Sequence, residues 1–211
     1  EAPTVPSAAH IAETLACCGY EKLQLDENSV QFTQPGMGLD LGGIAKGYAS
    51  AQLHALLQGL GVEAAILSLG GNVQTLGQKP DGSPWRVAIQ DPFDSSAFAG
   101  TLLCGETAVV TSGDYQRYYM VDGVRYHHLI DPDTLYPGRH MRAVTIVTQD
   151  SGLADALSTA VFLMPYEQGR AFAEALDGVE AYWVLLDGSV QCTDGLRAML
   201  ASQGASSRVS G

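Results

Sequence analysis

The sequence predicts an α+β fold with mixed or antiparallel sheets, and two observations carry that expectation. Most of the chain reads as short apolar and β-branched runs closed by turn residues, with single helical patterns between them. Three of the turns, Glu27-Asn28, Asp122-Gly123 and Asp187-Gly188, sit between two such runs, as a hairpin requires. No repeat of fixed short period underlies the pattern.

Taken in order, residues 7–18 form a helical pattern capped by Ser7 and ended by Gly19. Residues 23–25 and 30–32 alternate and form the first hairpin. Gly38 to Ala49 packs glycines, Asp40 and Lys46 into a short run that opens into a helix ending near Gly59 to Gly61. Ile44, Leu53, Leu56, Leu57 and Leu60 recur along it at roughly helical spacing. A short buried strand is expected at 64–69, and further strands at 73–76, 85–90, 100–104, 108–111, 118–121, 124–128 and 142–148. Helices follow at 153–164 and 167–176, then a hairpin of 181–186 with 189–192, and a short helix at 195–202. Residues 131–138 are turn chemistry throughout.

With 211 residues the chain can bury one sizeable core or two closely packed halves. The expected organisation is a linker or truncated N-terminus at 1–6, one domain over 7–203 and a flexible tail at 204–211. The net charge of −12, from 23 acids against 11 bases, argues against nucleic acid and anionic lipid. No run of apolar residues is long enough to span a bilayer. Adjacent Cys17 and Cys18 lack zinc-pair spacing, and all four cysteines, with Cys104 and Cys192, read as small buried apolar groups rather than a disulfide framework.

Five stretches concentrate residues able to do chemistry. In Asp40-Leu41-Gly42-Gly43-Ile44-Ala45-Lys46-Gly47, glycines at a helix mouth admit a ligand close to the backbone, and the free N–H groups favour an anion. Gly70-Gly71-Asn72 and Thr111-Ser112-Gly113-Asp114-Tyr115 lie at strand ends, where amides and hydroxyls meet a ligand or simply make turns. In Tyr126-His127-His128-Leu129-Ile130-Asp131-Pro132 the strand alternates its faces, so only one histidine looks into a site. In Ala154-Asp155-Ala156-Leu157-Ser158-Thr159-Ala160, Asp155 and Thr159 share a helix face one turn apart. A carboxylate on a mostly buried helix needs a partner. A hard cation such as Mg²⁺ or Ca²⁺ is one; a helix cap or a buried backbone donor is another. Spacing alone favours the latter.

Together, in this order, the motifs D-L-G-G-I-A-K-G-Y-A, G-G-N, T-S-G-D-Y, H-L-I-D-P and A-D-A-L-S-T-A resemble the ApbE-type FAD:protein FMN transferase family. The resemblance runs from about Pro6 to Leu200. It implies an α+β fold with FAD between two halves of one domain, and Mg²⁺-dependent transfer of FMN from FAD to a threonine or serine of a target protein, releasing AMP. Carried over residue by residue, it makes Asp155, Thr159 and the Gly43 carbonyl metal ligands. Asp40, Lys46, Gly70, Gly71, Asn72, Thr111, Ser112, Gly113 and His128 fall where the family contacts FAD. His128 and Asp155 are the candidate catalytic residues, with His128 or a neighbouring acid taking the hydroxyl proton. Two alternatives stay open: an FAD-binding protein without transfer activity, and an FAD pyrophosphatase yielding FMN and AMP. The resemblance also implies the bacterial cell envelope as location, with membrane contact only through a lipid anchor outside this chain. The family's opening segment is expected upstream of where this chain begins. Leu135 replaces the glycine usual in the family's D-P-x-T-G-x-P turn, so that turn either avoids positive φ or carries strain.

Overall fold

A computed structural model describes residues 4–201, which divide into two compact units. The smaller comprises Glu1–Leu41 with Tyr119–Tyr126, the larger Gly42–Tyr118 with His127–Gly211. The expected tail lies outside the described residues, as does half of the expected linker.

In the smaller unit α1 spans Ala8–Leu15, and Ser7 caps it by accepting the His10 N–H at 3.2 Å. The helix stops short of the cysteines and buries none of its residues. Cys18 is exposed and Cys17 half-buried, which corrects the expectation of buried thiols at these two positions. A 3-10 turn, Tyr20–Lys22, leads into the hairpin of β1 (Leu23–Asp26) and β2 (Ser29–Phe32), in the register Leu23↔Phe32 to Asp26↔Ser29.

The larger unit continues with α2 (Ala45–Gly59), β3 (Ala65–Leu69), β4 (Asn72–Leu76), β5 (Trp85–Gln90), β6 (Phe98–Cys104) and β7 (Ala108–Gly113). The hairpin of β8 (Tyr118–Val121) and β9 (Val124–His127), whose residues Tyr119–Tyr126 belong to the smaller unit, turns on Asp122 and Gly123, both at positive φ, the signature of the tight turn that Asp-Gly favours. Then come β10 (Met141–Thr148), α3 (Ser151–Leu163), α4 (Tyr166–Glu174), β11 (Glu180–Leu185), β12 (Val190–Cys192) and α5 (Asp194–Met199).

Six of these strands form one sheet in the order β12-β11-β10-β7-β4-β3, every neighbour antiparallel. Period-2 alternation divides its side chains between two cores. Val110, Val144, Ile146, Ala181 and Trp183 pack against Ala154, Leu157, Val161 and Phe162 of α3. Val109, Ala143, Val147, Tyr182 and Val184 point the other way, toward Val87, Ile89 and Leu102 of the β5–β6 hairpin and Leu196 of α5. The sheet is thus the middle of three layers. Trp183, Tyr182 and Phe162 are each fully buried, at about 1.5–3 kcal/mol apiece for side chains of this size. Among the described residues, the expected elements differ from these by one to three residues at their ends, where helices fray and strands taper.

The apolar residues spaced along α2 and at its two ends face largely outward: Ile44 is 43% exposed, Leu56 56% and Leu60 72%. The buried residues are Gly47 and Ser50 instead. Likewise β3, read as a buried strand, is the sheet's edge, alternating half-buried and exposed. Closeness, not apolar area, holds α2 in place. A Cβ on Gly47 would stand 2.3 Å from the Ser151 carbonyl oxygen and 2.9 Å from the Gly152 Cα, so α2 and α3 cross with their backbones nearly touching.

Across the sheet Asp114, 5% exposed, receives the Arg142 guanidinium at 2.6 Å, and Arg142 also lies 5.2 Å from the Phe93 ring. Arg142→Leu keeps an apolar stem on Phe93 but removes the charge facing a buried carboxylate. The expected cost is about 2–4 kcal/mol in chemical denaturation, with part recovered in the double variant carrying Asp114→Asn.

Candidate active site

The site grows from the crossing of α2 and α3. The first turn of any helix leaves backbone N–H groups without partners. Ile44, the residue preceding α2, offers no side-chain cap. The missing acceptor comes from the neighbouring helix: Asp155 Oδ2 receives the Gly47 N–H at 2.7 Å. The glycine that lets the helices approach is therefore the one whose amide meets the acid. Asp155 is 5% exposed, and among the described residues no basic side chain forms an ion pair with it. Burial raises its pKa above the usual carboxylate value, opposed by the Gly47 N–H and the charge of Lys46. Asp155 does not cap its own helix; Asp150 does, accepting the Leu153 N–H at 3.0 Å.

One turn on, Thr159 faces the same glycine loop, its Oγ1 4.0 Å from where a Cβ on Gly43 would stand. Ser112 at the end of β7 reaches across to this helix, 2.8 Å from Ser158 Oγ and 3.2 Å from Thr159 Oγ1. Thr111, on the opposite face of the strand, bonds Thr145 at 2.8 Å. A Cβ on Gly113 would meet the Tyr115 ring at 2.4 Å, so that glycine makes room for the aromatic.

Gly70 and Gly71, φ 56° and 96°, form the two-residue turn joining β3 to β4, a geometry that favours glycine at both positions. Lys46, on the first turn of α2, donates to the Gly70 carbonyl at 2.9 Å and draws this turn to the glycine loop. Asn72 is fully buried. Its Oδ1 accepts from Ser151 Oγ at 2.9 Å, and its Nδ2 has no partner among the described residues.

The two histidines part as alternation requires. His127 is buried, its Nε2 2.7 Å from the Gly138 carbonyl and its Nδ1 3.3 Å from the Leu129 N–H, so the ring is neutral with the proton on Nε2. Burial lowers its pKa. His128 is exposed, and its pKa is lowered by desolvation first and by the charges of Arg117 and Lys46. Leu135, in the turn that follows, takes φ 62°, so the turn accepts the strain that glycine would have avoided.

The larger unit thus brings Gly43, Lys46, Gly70, Ser112, Asp155 and Thr159 into one connected set of contacts. Asp40 is exposed and belongs to the smaller unit. Sequence reasoning missed Gly47 and Ser158 as parts of the site. The K-G-Y and L-S-T contexts name both residues, but only tertiary contact reveals what each one touches.

An acid and a hydroxyl beside a glycine loop, at one face of an antiparallel α+β sheet, are hard oxygen donors of the kind that suit a hard cation. The comparisons give the family. The ApbE family model matches residues 1–183, and the chain belongs to that family. Over 185 residues it is 40% identical to an FAD:protein FMN transferase of Klebsiella pneumoniae (strain 342), covering 86% of this chain and 57% of the relative. A protein of the same name from Treponema pallidum (strain Nichols) is 34% identical over 209 residues, covering 91% of this chain and 58% of the relative. Among solved structures, the ApbE protein of Thermotoga maritima superposes with TM-score 0.86 at 34% identity, over 94% of this chain and 65% of that one. The flavin transferase ApbE of Vibrio cholerae gives 0.83 at 31%, over 95% and 65%. The chain therefore spans a little over half the length of the curated relatives named here. Both structures share its α+β fold.

Proposed function

We propose that this chain transfers FMN from FAD to a threonine or serine hydroxyl of a target protein, releasing AMP, with Mg²⁺ as cofactor. The observation that carries the reading is Asp155, a buried carboxylate held at the mouth of α2 with Thr159 beside it. The residues fit the ion. A carboxylate, a hydroxyl and the Gly43 carbonyl are hard oxygen donors of the kind Mg²⁺ takes. Among the described residues no group of three His, Cys, Asp or Glu offers a softer alternative. Asp155 and Thr159, with the Gly43 carbonyl, would hold the ion. When bound, it supplies positive charge to the pyrophosphate oxygens of FAD.

The rest is work for the chain's own residues. Lys46 and the Gly70-Gly71 turn, already linked, form one wall for the dinucleotide, and Asn72, Thr111, Ser112 and Gly113 are its further proposed contacts. Phosphoryl transfer asks mainly for alignment and charge. The acceptor hydroxyl bonds to the phosphorus on the FMN side, the bond to AMP breaks, and the hydroxyl proton leaves. His128 is suited to take that proton: it is exposed to an incoming protein, and its lowered pKa keeps it neutral near pH 7. The acidic net charge is consistent with partners other than nucleic acid. Among the described residues no helix is long and apolar enough to cross a membrane. We extend the proposal to a cell-envelope location, on the family resemblance.

The test is incubation with FAD, Mg²⁺ and a threonine-bearing acceptor domain. Expected are AMP and a fluorescent acceptor in equal amounts, and no product with EDTA. AMP with free FMN and an unlabelled acceptor identifies a pyrophosphatase instead, and FAD retention without AMP identifies a binding protein.

A further inference from the structure

The hydroxyls around Thr159 can be ordered by counting protons. Ser158 Oγ lies 2.9 Å from the Asp155 carbonyl oxygen, 2.8 Å from Ser112 Oγ, and is fully buried. A carbonyl only accepts, and a serine has one proton. That proton therefore goes to Asp155, because otherwise two lone pairs would face each other at this distance. Ser158 must then accept from Ser112. Ser112, its own proton spent, must accept from Thr159, 3.2 Å away. The chain runs Thr159 to Ser112 to Ser158 to the Asp155 carbonyl. It leaves Thr159 Oγ1 with its proton turned toward β7 and its lone pairs available to the glycine loop, where Gly43 lies.

We propose that Ser112 and Ser158 are positioning residues that fix the Thr159 hydroxyl rotor, so that it presents lone pairs rather than a proton to a divalent cation. The inference rests on the reading of Asp155 and Thr159 as metal ligands and adds how the weaker of the two is made to ligate. A free threonine rotor would spend part of its time aiming a proton at the cation. Ser112→Ala removes the acceptor for that proton. Ser158→Ala has the same consequence by a different route: Ser112, no longer needed as a donor to Ser158, donates to Thr159 and turns its proton outward. The relay acts as a unit, so the double variant binds no worse than Ser112→Ala alone.

The probe is Mn²⁺, titrated in the presence of FAD and followed by the loss of its free electron paramagnetic resonance signal, which reads binding without turnover. Expected is roughly tenfold weaker binding for Ser112→Ala and for Ser158→Ala, in the range usual for residues that orient a metal ligand, with Ser112→Thr restoring affinity. Asp155→Asn is expected to lose binding altogether. Wild-type affinity in both serine variants, with binding still lost in Asp155→Asn, overturns the relay and leaves the ligand assignment standing. Undiminished binding in Asp155→Asn overturns the ligand assignment and the relay with it. Weak binding that Ser112→Thr does not restore also overturns the relay, since a defect in packing rather than in the hydroxyl is then responsible.

Discussion

Asp155→Asn will abolish FMN transfer while the protein stays folded and melts no lower than the unaltered chain near neutral pH. The amide oxygen of asparagine can still accept the Gly47 N–H, so α2 keeps its cap. What disappears is the charge. Burial raises the Asp155 pKa in the folded state, so the folded protein favours the neutral acid. That preference contributes stability in full below the unfolded value near 3.8, and the contribution is lost as pH rises through the folded value. At pH 7 the carboxylate is therefore a cost to the empty protein, one that asparagine does not carry. The expected loss of transfer is at least ~10³-fold, equivalent to about 4 kcal/mol of electrostatic stabilisation. Paired assays of AMP release and thermal melting check both halves. A variant that loses activity together with several degrees of stability marks Asp155 as a structural cap.

Gly47→Ala acts in the opposite sense, on packing first. Its methyl would stand 2.3 Å from the Ser151 carbonyl, 2.6 Å from Asp155 Cβ and 2.9 Å from the Gly152 Cα. Two of these are backbone atoms that cannot rotate away. The helices must separate, which overpacking of this kind makes cost about 1–3 kcal/mol. Separation also draws the Gly47 amide from Asp155 and shifts Gly43 relative to Thr159. Activity should fall by roughly 10²-fold or more, a loss of the order expected from an ångström of misplacement. Gly59→Ala, where a Cβ meets nothing within 4 Å, is the control and should be neutral or slightly stabilising. Urea denaturation beside the labelling assay separates the two effects.

How far the sequence could be read depended on the kind of signal. Hairpins at Asp122-Gly123 and Asp187-Gly188 are local, because the turn dictates its own residues, and both formed. The shared face of Asp155 and Thr159 follows from helical spacing, and the structure turns both toward the glycine loop. Separation of His127 from His128 follows from strand alternation. Periodicity along α2 reports which side of the helix is apolar, not which side meets another element. Gly47 and Ser50 make the close contact, and small residues carry little weight in an apolar pattern. Cys17 and Cys18 misled because a residue type that is usually buried does not by itself fix the burial of a given position, and these two lie past the end of α1. The hydroxyl chain through Ser112 and Ser158 was out of reach altogether, since it joins residues 46 positions apart whose meeting depends on how α3 lies on β7.

The most direct measurement is anomalous diffraction from crystals of this chain grown with FAD and Mn²⁺. A peak at roughly 2.0–2.3 Å from an Asp155 carboxylate oxygen and from Thr159 Oγ1, with the Gly43 carbonyl completing that side, is the predicted result. A peak elsewhere, with Asp155 still bonded to the Gly47 N–H alone and Thr159 turned away, would contradict the assignment of this crossing of two helices as the catalytic metal site.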